Sequence, residues 1–74
     1  MGTTAEKAVL DVLATGGLLT AGQIMQQGQL TQWSARRAIG RLSSRGLIVP
    51  TPHRARWSIT PRGRAALTGW RLRR

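Results

Sequence analysis

Residues 30–48 read LTQWSARRAIGRLSSRGLI, and the rest of the chain is organised around them. The spacing predicts one amphipathic helix with a start and a stop. Thr31 is placed to cap the N-terminus, its hydroxyl oxygen accepting from a backbone N–H that has no partner inside the helix. Gly46 falls where a left-handed residue closes a helix. Between them Ala35, Ala38, Ile39 and Leu42 recur at spacings of three and four, a narrow apolar stripe that faces a core. Trp33, Arg36, Arg37, Gly40 and Arg41 fall on the opposite side. A helix that buries small residues and turns arginines outward suits a groove of nucleic acid.

The distribution of charge supports that reading. The chain has 74 residues and a formal net charge of +10, but the charge is segregated. Residues 1–35 hold Lys7 against Glu6 and Asp11, whereas residues 36–74 hold eleven arginines and no acid. A GC-rich genome accounts for arginine in place of lysine. It does not account for the disappearance of acids after Asp11, so a polyanion bound by the C-terminal half is expected.

On the N-terminal side, Thr3 and Glu6 form a Thr-x-x-Glu capping box. Ala5, Ala8, Val9, Val12 and Leu13 then repeat at helical spacing, which predicts a first helix over 4–14 ending at Gly16-Gly17. This segment reads as scaffold, far from any ligand. Leu18-Leu19 is a short apolar step that can add a strand to a small sheet. Thr20 and Gln23 form a second capping box ahead of a short helix over 21–27, and Gly28-Gln29 turns the chain into the arginine-bearing helix. Two helices joined by so short a turn are a helix-turn-helix.

On the C-terminal side, Leu47-Ile48-Val49 reads as a strand, and Pro50-Thr51-Pro52-His53 as a loop, because proline cannot sit inside a central strand. Residues 56–60, RWSIT, alternate and complete a hairpin whose tip carries Arg54. Thr60-Pro61 restarts a helix, with Ala65, Ala66, Leu67 and Trp70 as its inner face. Gly63 and Gly69 weaken that helix. One domain over 1–70 with a frayed basic tail over 71–74 is expected.

These segments resemble a winged helix-turn-helix DNA-binding domain of the bacterial MarR and ArsR type. The likeness is carried by LTAGQI at 19–24, LTQWSARRAIGRLSSRGLI at 30–48 and WSITPRGRAAL at 57–67, and it spans nearly the whole chain. Gly28 departs from the pattern, where a large apolar residue usually ends the second helix, as do Ser43 and Ser44, which replace glutamates. The resemblance implies a mainly α fold with a small β-hairpin: a three-helix bundle, a two-stranded wing and a short C-terminal helix. It implies a recognition helix over 31–45 in the major groove and a wing over 50–56 at the minor groove.

By that carry-over Gln32, Trp33, Ser34 and Arg37 are the candidates for base contacts, since Gln pairs with adenine and Arg with guanine O6 and N7. Trp33 either meets a thymine methyl or the sugar-phosphate backbone, or packs on the wing or a second protomer. Thr20, Thr31, Arg36, Arg41 and Arg62 are the candidates for phosphate. Arg54 and Arg56 are the wing candidates, because a narrow minor groove attracts arginine.

Double-stranded DNA is thus the expected partner, bound by a homodimer or by copies side by side. A small transcriptional repressor is the leading expectation. A DNA-docking module of a translocase, plasmid-transfer or recombination machine is the first alternative, and a protein- or RNA-interaction domain the second. The extra helices that serve dimerisation and ligand binding in longer MarR-like proteins are absent from the pattern, and no small-molecule ligand is evident. The chain has no cysteine, one histidine and two carboxylates, so no metal site, cofactor or catalytic constellation is expected. No apolar run is long enough to span a bilayer and no signal-peptide core follows the N-terminus, which predicts a cytoplasmic protein with no membrane partner.

Overall fold

The computed structural model describes residues 3–51 and 56–72, without the side chains of Thr3, Thr4 and Arg71. The chain runs α1 (Thr3–Gly16), β1 (Leu19–Thr20), α2 (Ala21–Gln27), α3 (Gln32–Ser44), β2 (Ile48–Pro50), β3 (Arg56–Ile59) and α4 (Pro61–Leu72). It is a mainly helical fold with a small antiparallel sheet in the order β1-β3-β2. The expected third strand at Leu19 is present, paired with Trp57. The Thr3 half of the first capping box lies outside the described side chains.

The core forms where α1, α2, α3 and the sheet converge. Val9, Leu10, Leu13, Ile24, Leu42 and Ile48 are wholly buried. Each such side chain contributes about 1.5–3 kcal/mol of burial. That packing, rather than helix propensity, holds a helix as short as α2, because seven residues are too few to be stable alone in water.

The buried stripe of α1 differs from the expected one. It runs Glu6, Val9, Leu10, Leu13, with Ala5 and Val12 at its margins and Ala8 half-buried. The run A-x-x-A-V-L offers two overlapping helical stripes, and the larger leucine takes the inside position. This turns Glu6 inward.

The termini of α2 and α3 follow from cap chemistry. Thr20 and Gln23 form the reciprocal capping box at α2, with bonds of 3.2 and 3.0 Å. Thr31 Oγ1 accepts from Ser34 N at 3.1 Å at the start of α3. Both helices end in the same paired arrangement. After α3, Gly46 N donates to Ser43 O and Leu47 N donates to Leu42 O, with Gly46 at φ 75°. After α2, Gln29 N donates to Gln26 O and Leu30 N to Met25 O, with Gln29 at φ 55°. The expected turn at Gly28-Gln29 is present, and the two residues divide it unexpectedly. Gly28 keeps right-handed helical geometry, and the left-handed position falls to a glutamine.

The hairpin and α4 depart from expectation in three places. Pro50 belongs to β2, opposite Trp57, rather than to the loop. β2 is an edge strand, where a missing N–H costs no ladder bond. Leu47 precedes the strand and serves the α3 closure instead. On α4, Ala65 is exposed, while Gly63 and Leu67 are buried and Ala66 and Trp70 half-buried.

Thr60 joins three elements. Its Oγ1 lies 2.8 Å from Gly46 O and 2.9 Å from Leu47 O, and accepts from Gly63 N at 3.0 Å. The first turn of α4 is thereby fastened to the end of α3. α4 continues through Leu72, two residues into the segment expected as a tail.

Candidate nucleic-acid interface

The short turn after α2 presents α3 with its apolar stripe inward. Ala35, Ala38, Ile39 and Leu42 are all buried, as the spacing requires. Gln32, Trp33, Arg36 and Arg37 occupy one continuous exposed face over the first turns of the helix. Trp33 is 68% exposed. Residues four apart on a helix are neighbours, and the Arg37 guanidinium carbon stands 5.1 Å from the Trp33 ring centroid, a cation–π contact. Among the described residues no carboxylate pairs with Arg36 or Arg37.

The other candidates are distributed unevenly. Ser34 is half-buried and lies with Ala5, Glu6 and Arg41 along an open hollow of about 310 Å³ between α1 and α3. Thr31 is exposed at the N-terminal end of α3 and Thr20 half-buried at that of α2, each with its hydroxyl engaged in capping. Arg56 opens β3 opposite Thr20, and its carbonyl accepts from Thr51 N at 2.8 Å. Arg62 is exposed and its guanidinium lies against Gly46. At 1.5 Å per residue that places it about 20 Å along α3 from Gln32. Arg54 lies outside the described residues.

Arg41 has a partner within the fold. Its guanidinium lies 3.9 Å from Glu6, and Arg45 donates to the same carboxylate at 3.4 Å. Glu6 is 2% exposed, whereas both arginine side chains are about half exposed. The first helix is therefore not remote from the basic face: it supplies a buried carboxylate that pairs with Arg41 of α3 and with Arg45 at its C-terminal cap. Arg45 was not anticipated. The signal for Glu6 was present in the sequence, because it stands three and four residues before Val9 and Leu10.

No family model and no curated protein matches this chain. Solved structures do. A MarR family transcriptional regulator from Silicibacter pomeroyi superposes with a TM-score of 0.85 at 27% identity, over 93% of this chain and 48% of that one. The fold is the MarR-type winged helix. A second MarR family transcription regulator matches with a TM-score of 0.79 at 29% identity, over 92% of this chain and 48% of its own. Bordetella bronchiseptica BpsR matches with a TM-score of 0.83 at 27% identity, over 92% of this chain and 51% of its own. The chain thus spans about half the length of these MarR-type proteins. The DNA binding of BpsR is regulated by 6-hydroxynicotinic acid, which stands against extending the expectation of no effector to all such relatives. In MarR-type terms α2 and α3 are the helix-turn-helix and β2–β3 the wing. No described helix is long and apolar enough to cross a membrane.

Proposed function

We propose that this winged helix binds double-stranded DNA with sequence preference and acts as a transcriptional repressor by occupying its site. The observation that carries the reading is the exposed first half of α3, where Gln32, Trp33, Arg36 and Arg37 share one face without a carboxylate partner. The MarR-type fold supports it, since two of the matched structures are of transcriptional regulators and a third is of a DNA-binding protein. In this reading α3 enters the major groove, Gln32 and Arg37 meet base edges, and Arg36 meets phosphate. Arg56 and the wing approach the neighbouring minor groove. The protein acts by binding alone, without catalysis, in the cytoplasm, as a dimer or as copies side by side on DNA.

The test is selection of bound duplexes from a random library, followed by titration of the winner and a scrambled duplex across salt. A specific reader gives an affinity ratio of about 10³ or more. Equal affinity for every duplex, collapsing with salt, would reduce the arginines to phosphate neutralisation. An inverted repeat in the recovered site supports a dimeric repressor, and tandem direct repeats a docking module.

A further inference from the structure

We propose that Trp33 and Arg37 read DNA as one unit, with Trp33 the positioning residue that aims the Arg37 guanidinium at a guanine. This inference rests on the DNA-binding reading of α3. The four arginines of the α3 segment fall into three environments. Arg41 and Arg45 lie 3.9 and 3.4 Å from the Glu6 carboxylate. Arg36 has no carboxylate partner among the described residues. Arg37 alone lies over an aromatic ring, 5.1 Å from its centroid.

These environments have different chemical consequences. A carboxylate binds the N–H edge of a guanidinium and offsets its charge, which is the edge and the charge a base would need. An indole covers only the flat face. It takes no in-plane N–H donor as a carboxylate does and leaves the charge whole, and its bulk narrows the orientations the guanidinium samples. Guanine offers O6 and N7 as two acceptors in one plane, which match two parallel N–H donors. A guanidinium held over the ring therefore approaches guanine from a narrower set of orientations than a free one.

The helix supplies the register for this. Side chains on a helix lean toward its N-terminus, so Arg37 lies back over the residue four before it. A free arginine side chain loses rotamer entropy when it binds, and a neighbouring ring removes part of that cost before DNA arrives. Trp33 also lies outside the core. It is 68% exposed and is not among the residues packed against the core. A large aromatic held in water on the exposed face of α3, with its one described ring partner a guanidinium, is explained by what it does for that guanidinium.

The experiment uses the duplex recovered by selection with the wild-type chain. Each G·C pair is replaced in turn by A·T, and each guanine by 7-deazaguanine, which lacks the N7 acceptor. Affinities are measured for the wild type, Arg37→Ala, Trp33→Ala, Trp33→Phe and the double alanine variant. The readout is the ratio of affinities with and without the guanine, so a general loss of binding cancels. At one guanine the wild type should discriminate on the order of ten- to a hundredfold. Arg37→Ala should abolish this. Trp33→Ala should abolish most of it although Arg37 is intact, Trp33→Phe should retain much of it, and the double variant should lose no more than Arg37→Ala. If Trp33→Ala keeps the wild-type ratio, or the two losses add, the inference falls while the DNA-binding reading stands. If the wild type itself shows no preference among duplexes, both fall.

Discussion

Gln29 holds a left-handed backbone at φ 55°, one residue after a glycine that does not need its freedom. A residue with a side chain is strained there by about 1–2 kcal/mol, and glycine gives part of that back through its larger unfolded-state entropy. Gln29→Gly should therefore stabilise the domain by about 0.5–1 kcal/mol, read as a higher urea midpoint with an unchanged slope. Gly63 is the opposite case. A methyl group there would lie 2.7 Å from Ile59 Cγ1 and overlap the Leu47 carbonyl. Gly63→Ala should cost about 1–3 kcal/mol, because α4 can make room only by moving off the hairpin. The sequence made Gly63 look like a flaw in α4. Its purpose is visible only once α4 is laid against β2 and β3, since helical periodicity says which face is inward and nothing about how close the neighbour comes. The Glu6 partner of Arg41 is hidden for a related reason: it lies 35 residues away, on a helix whose buried stripe is rotated by one position from the expected one.

The elements were legible in proportion to the chemistry at their ends. α2 and α3 fall where the sequence places them, because Thr20, Gln23, Thr31 and Gly46 act through local backbone geometry that any reader can anticipate. Thr31→Ala should cost about 1 kcal/mol of stability by leaving Ser34 N without its acceptor, measured by the same urea titration. The strands were harder. Two to four residues give too few alternations to fix a register, so Pro50 was set in the loop although it pairs with Trp57. The reading face of α3 was legible as a set of residues. The contact between Trp33 and Arg37 was available from their spacing, and the capture of Arg41 and Arg45 by α1 was not.

Across the whole molecule, one buried carboxylate stands beneath a surface that is otherwise acid-free from residue 12 onward. Glu6→Gln keeps the shape and an acceptor for Arg45 but removes the charge that competes with phosphate for Arg41 and Arg45. Stability should change by no more than about 1 kcal/mol, since the amide has the same shape and the lost attraction to two half-exposed arginines is offset by no longer burying a charge. Affinity for any duplex at low salt should rise, and the slope of log affinity against log salt should steepen by up to about one unit per arginine released. An unchanged slope would mean that neither arginine reaches the backbone.

The pairing of Leu19 with Trp57 has a different kind of consequence. α2 and α3 meet across a four-residue turn, whereas β1 and β3 must close a loop through about half of the chain. Loop closure costs entropy before it returns any contact. The helices can assemble first and the sheet close over them last. β1 is only two residues long, so its ladder adds little, and the sheet is held instead by Ile48, wholly buried, with Trp57 and Ile59 packed on the same core. The base of the wing is thus part of the body that carries the helix-turn-helix, and the two surfaces that would grip DNA are set at one spacing before DNA arrives.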